Sequence, residues 1–112
     1  MKSLGQLMFG DININIIANS ENLTVAELHI PAGTTAKLHS HIHEEINYVV
    51  KGKVRCLCDH ESSILNEGDS IQVPPHAEHS LICFPDNDAI VLSIWTPSRT
   101  DFMKNLNSDK DI

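Results

Sequence analysis

No stretch of this chain approaches the roughly 20 consecutive apolar residues that a helix needs to cross a bilayer, so no spanning helix is expected. The opening residues MKSLGQLMFGD carry no long apolar segment ending in a small-residue cleavage site, which leaves the cytoplasm as the expected location. Basic residues are scarce: 8 Lys and Arg stand against 15 Asp and Glu, a formal net charge of -7. With no Lys/Arg cluster to offset it, that balance excludes broad contact with phosphate backbones and argues against nucleic acid as a partner. Cysteine is limited to Cys56, Cys58 and Cys83, an odd number better read as reduced thiols than as a disulfide framework. Internal repeats, linkers and low-complexity segments are missing, and so is any sustained helical period before residue 97.

What is present is a series of short β-rich runs. In DININIIA, Ile12, Ile14 and Ile16 alternate with polar residues, and LTVAELHI ends at the turn signal PAG. EINYVVKGKVRCLC reads as two strands joined in a hairpin around Gly52. Beyond Gly68-Asp69 and Pro74-Pro75 come further strand signals, and AIVLSIW makes the last strand. At this spacing the expected fold class is all-β, a small sandwich or barrel filling 1–112 as one domain, with a short polar carboxy-terminal tail that starts as a helical turn and frays at its end. A chain of 112 residues can bury roughly two thirds of its unfolded surface around one core.

The segment KLHSHIHEEINYVVKG concentrates unusual chemistry. Residues two apart on a strand share a face, so His39 and His41 can point at one place, and Glu45 has the same parity. A single H-x-H on a polar strand more often meets solvent. Here, however, His79 lies past a Gly-Asp and Pro-Pro turn, where a neighbouring strand can bring it alongside. Three imidazoles and a carboxylate suit a divalent first-row metal such as Mn, Fe, Co, Ni or Zn.

Gly33, His39, His41, Glu45 and Gly52 stand at the spacing G-x5-H-x-H-x3-E-x6-G, and the chain thereby resembles the cupins in their first motif (33–52). Gly68, Pro74 and His79 follow the second, G-x5-P-x-G-x2-H-x3-N (68–83), with His76 in place of its glycine and Cys83 in place of its asparagine. The resemblance implies a double-stranded β-helix, or jelly roll, with His39, His41, Glu45 and His79 as metal ligands in the barrel mouth. It also implies a bend at Ile42, His43 and Glu44, which takes His43 out of strict alternation and leaves it at the rim. His29 and His60 lie outside both motifs and read as non-catalytic. Ile46, Tyr48 and Val50 alternate onto the opposite face, an apolar surface that needs a second sheet or a partner subunit over it; the resemblance points to a homodimer.

A narrower likeness lies in VLSIWTPSRTDF, which resembles the closing segment of the small pectin-degradation cupins, patterned D-x-F-S-P-x-R-x-D-F. Those proteins convert unsaturated galacturonate to its open-chain keto form. Pro97, Arg99, Asp101 and Phe102 agree. Trp95 replaces the phenylalanine, Thr96 the serine, and Ser93 an aspartate that is a candidate proton-transfer group; Glu45 stands where that family tends to have glutamine. On this basis Trp95 is expected as a flat wall and Arg99 as a carboxylate fork for substrate, with Arg99 and Ser93 as the candidate catalytic residues. The expected function is a metal-binding cupin that isomerises or ring-opens a small uronate or sugar acid. The alternatives are an iron-dependent dioxygenase and a non-catalytic small-ligand binding or sensor module.

Overall fold

The structure, a computed structural model, describes residues 3–106; the polar end of the tail lies outside the described residues. Nine strands form: β1 (Gly5–Phe9), β2 (Ile12–Asn19), β3 (Thr24–Ile30), β4 (Glu44–Lys51), β5 (Val54–Cys58), β6 (Glu61–Leu65), β7 (Ser70–Val73), β8 (His79–Cys83) and β9 (Ala89–Thr96). One helical turn, α1 (Thr100–Lys104), follows the last of them. Among the described residues no helix is long and apolar enough to cross a membrane.

All strand pairs are antiparallel. Six strands make one sheet in the order β1-β2-β3-β9-β4-β7, and three make a second in the order β6-β5-β8. Their inner faces close over a shared core, giving the expected double-stranded β-helix. The alternation of β2 is realised literally: Ile12, Ile14 and Ile16 are buried while Asn13 and Asn15 lean outward. From the small sheet, Val54, Cys56, Leu81 and Cys83 fill the opposite side.

One expectation is corrected. Residues 44–58 are not a hairpin, because β4 already has β9 on one edge and β7 on the other, so β5 crosses to the second sheet and pairs with β6 and β8. Gly52 makes this corner possible: its φ is +86°, and a Cβ there would lie 2.7 Å from the Asp88 carbonyl oxygen. Of the two covers expected for the outer face of β4, a second sheet is not present among the described residues, and Ile46, Tyr48 and Val50 are 39%, 42% and 48% exposed in the single chain. The sequence reading also assigned no strand to residues 5–9, which add to the edge of β2 as β1.

Candidate metal centre

The two halves of the site meet through main-chain hydrogen bonds. Residues 34–39 run antiparallel beside β8, with Ala36 N–H donating to Leu81 (2.8 Å) and Cys83 N–H to Thr34 (2.9 Å). His39 and His79 then exchange both backbone bonds, at 3.0 and 2.9 Å. His41 is tied in by the N–H of His76, 2.7 Å from its carbonyl oxygen. His76 takes the left-handed conformation (φ +68°) that suits the glycine of the cupin motif, so the turn survives the substitution. Residues 42 and 43 bend the chain as expected, and Glu44 already belongs to β4.

One ring nitrogen from each of His39, His41 and His79 lies within 4.8 Å of the other two. Glu45 Oε1 is 2.9 Å from His41 Nε2 and 3.2 Å from His79 Nε2. The other nitrogen of each ring faces a backbone carbonyl: His39 Nδ1 at 2.6 Å from Lys37, His41 Nδ1 at 3.1 Å from His43, His79 Nδ1 at 2.8 Å from Ala77. A carbonyl accepts only, so these contacts place the proton on Nδ1 and the lone pair on Nε2. Neutral imidazoles in that tautomer leave lone pairs and a carboxylate oxygen facing one another with no proton between them. Buried His79 Nε2 indeed has no hydrogen-bond partner. A divalent cation satisfies such a donor set, and the backbone carbonyls are the outer partners that hold ligating histidines in place.

Burial by itself would raise the Glu45 pKa, but the close approach of the His41 and His79 rings and the hydrogen bond from Asn47 together outweigh it and hold the carboxyl well below its usual range. Burial pushes His39 down, toward the neutral form a metal needs. His79 also loses solvent, yet its contact with Glu45 carries it above the ordinary histidine value. His43 is buried, with its ring 5.2 Å from that of His41 and its Nδ1 unpartnered, and stands outside the three-histidine cluster.

Beside His39, Glu45 and His79 opens a cavity of about 60 Å³, walled mainly by apolar side chains that include Phe9, Leu81 and Phe102. Trp95 and Arg99 both line it. Arg99 is 7% exposed and stacks over Phe102, 3.7 Å from its ring centre. Its Nε and a terminal nitrogen donate to Asp101 at 3.1 and 2.9 Å, so two of five N–H groups are engaged. Ser93 points inward but does not line the cavity, because its hydroxyl donates instead to Asn47 Oδ1 at 2.6 Å. His29 pairs with Glu27 on the exterior. A wider open groove of about 380 Å³ passes Gly52, Lys53 and Phe84, and none of the candidate ligands lines it. Sequence reasoning gave no site role to Asn47 or Phe102; the inward parity of Asn47 was the available signal, and nothing local indicated that Phe102 folds back onto Trp95.

Comparison with known proteins agrees with this geometry. The model of the Cupin domain family matches residues 26–95, a span that holds all four candidate ligands. Among solved structures, KdgF from Halomonas sp. is similar over 87% of this chain and 89% of its own, at 25% identity and a TM-score of 0.80. An RmlC-like cupin from Shewanella frigidimarina aligns over 90% of this chain and 89% of its own, at 27% identity and a TM-score of 0.82. Among curated proteins, the uncharacterized protein MJ1618 from Methanocaldococcus jannaschii is 34% identical over 59 residues, which are 52% of this chain. The match spans about half the length of that relative, 47%.

Proposed function

This chain belongs to the Cupin domain family, and from that membership we propose that it holds a divalent metal on His39, His41, His79 and Glu45 and acts on a small oxygenated carboxylate. Isomerisation or ring-opening of a sugar acid is the reaction the reading favours. The observation that carries it is the set of Nδ1 contacts to backbone carbonyls, which turns three Nε2 lone pairs and a carboxylate oxygen toward one point. When bound, the metal supplies Lewis acidity to a carbonyl or hydroxyl oxygen of the substrate.

The chain's own residues do the rest. Arg99 keeps three N–H groups beyond its bond to Asp101, enough to take a substrate carboxylate at the cavity wall. Phe9, Leu81 and Trp95 exclude water and pack against the uncharged part of the ligand. In support of a sugar acid stand the closing segment Pro97, Arg99, Asp101 and Phe102 and the overall likeness to KdgF. With serine at 93 and glutamate at 45, proton handling differs from the pectin-degradation pattern. The in-register outer ladder of Ile46 beside Ile94 and Tyr48 beside Leu92 supports a homodimer closed over this face.

Elemental analysis of protein purified without added metal, then calorimetric titration of a uronate and its uncharged sugar, tests the reading. We expect one divalent ion per chain and preference for the acid. Failure to bind any of Mn, Fe, Co, Ni or Zn would overturn it. Oxygen consumption on substrate addition would replace it with a dioxygenase, and a ligand bound but returned unchanged would indicate a binding module.

A further inference from the structure

Glu45 is gripped from the side away from the histidines. In the register of β4 and β9, Glu45 lies opposite Trp95 and Asn47 opposite Ser93, so the four side chains form one inward tetrad. All are buried: Glu45 5% exposed, Trp95 3%, Asn47 and Ser93 0%. The Trp95 indole N–H donates to Glu45 Oε1 at 2.6 Å, and the Asn47 amide N–H donates to Oε2 at 2.7 Å. Behind it, the Ser93 hydroxyl donates to Asn47 Oδ1 at 2.6 Å.

The polarity of this chain has only one consistent direction. An ionised carboxylate accepts and cannot donate, so the Asn47 amide must turn its NH₂ toward Glu45 and its carbonyl toward a donor. Ser93 is that donor. The hydroxyl therefore fixes the amide, the amide fixes Oε2, and the indole fixes Oε1. Rotation of the carboxylate would break two charge-assisted hydrogen bonds from buried donors.

We propose that Trp95, Asn47 and Ser93 are positioning residues that clamp the Glu45 carboxylate in one orientation, with Oε1 turned toward the His41 and His79 Nε2 atoms that would hold a metal. The inference rests on the metal reading above. It also accounts for a pattern in the sequence: Glu45, Ser93 and Trp95, three of the four members, are positions at which this chain departs from the pectin-degradation pattern. Phenylalanine at 95 would pack in the same place but offers no N–H. Glutamate is thus accompanied here by the donors a carboxylate requires.

The test is a coupling measurement with cobalt(II), using chelator competition for affinity and the visible absorption of the loaded protein for coordination. Trp95→Phe should lower affinity about 10- to 100-fold, the range typical of lost outer partners, and alter the cobalt spectrum. In a Glu45→Ala background the same change should lower affinity less than about twofold, because the group it acts through is gone. Ser93→Ala, a smaller change, should act in the same direction as Trp95→Phe and serves if that variant fails to fold. Equal losses with and without Glu45, or an unchanged affinity and spectrum in Trp95→Phe (in Ser93→Ala, should Trp95→Phe not fold), would overturn the clamp alone. Wild-type protein that binds no cobalt would overturn the metal reading with it.

Discussion

The two faces of the β4–β9 ribbon reverse the usual division of polarity. Inward, Glu45, Asn47 and Ser93 are buried beside Trp95. Outward, Ile46, Tyr48 and Val50 lie open to solvent, with Ile94 and Leu92 next to them in register. A strand selected for stability alone would do the opposite, because a buried polar group costs about 1–3 kcal/mol unless it is paired and exposed hydrocarbon contributes nothing. Toward the interior, Glu45, Asn47, Ser93 and Trp95 are hydrogen-bonded to one another, and the carboxylate at the end of the network faces His41 and His79. The inner polarity therefore belongs to the site. The outer apolarity has no such partner within the described residues.

The largest effect that would break this contrast is loss of the metal. His41→Ala should lower affinity for a divalent ion by more than about a hundredfold, beyond what loss of an outer partner costs, while His43→Ala should leave metal content near wild type. Equal loss in both, by elemental analysis, would show that the bend at residues 42 and 43 does not separate ligand from bystander. Next in size is Arg99. Arg99→Ala should weaken acidic ligands by about 1.5–3 kcal/mol and neutral sugars hardly at all, and Arg99→Lys should recover little because ammonium lacks the planar fork; calorimetry on both ligand types decides it.

Two neighbouring valines sharpen the comparison directly. Val49 is 0% exposed and Val50 is 48% exposed, so the same truncation samples both faces. Val49→Ala should cost about 2 kcal/mol in urea unfolding, from lost burial plus a cavity. Val50→Ala should stay within about 0.5 kcal/mol for a monomer. If a homodimer covers the outer face, Val50→Ala will instead lower the dimerisation constant, seen as a concentration-dependent mass in light scattering. A monomer at all concentrations would remove the homodimer proposal.

The smallest expected effect compares two carboxylates. Glu45, buried, and Asp101, well exposed beside Arg99, are both held below their ordinary values, Asp101 first of all by its hydrogen bond from Arg99. A depressed carboxyl contributes stability that is complete above its unfolded value, 4.5 for Glu45 and 3.8 for Asp101, and is lost as pH falls toward the folded value. Metal-free Glu45→Gln should therefore flatten the acid limb of the stability profile clearly. Asp101→Asn should flatten it by no more than about 0.5 kcal/mol, since solvent screens an exposed pair. Melting curves from pH 6 to pH 3 would show the order, and an equal response would contradict the assigned burial of Glu45.

Period-2 alternation made much of this legible beforehand. Ile12, Ile14 and Ile16 announced a core strand, and the parity of His39, His41 and Glu45 announced a shared face, because both depend only on which way successive side chains point. The turn signals before His79 suggested that a neighbouring strand could bring it alongside, and the resemblance to cupins added its role as a ligand and the bend after His41. Strand partners were not legible in the same way. Around Gly52 a hairpin and a sheet crossing have the same local signals, and the difference lies in whether β4 has a free edge, which β7 and β9 decide from far downstream. Likewise Trp95 read as a substrate wall and Ser93 as a candidate catalytic residue, and only their register opposite Glu45 and Asn47 turned the indole N–H and the hydroxyl onto the carboxylate and its amide. The sequence by itself determined an all-β chain, the inward set of metal-ligand types and an apolar outer stripe, since side-chain direction is a local property of a strand. Tertiary structure alone decided which inward residues touch one another, because strand pairing is a contest among distant segments for the same edges.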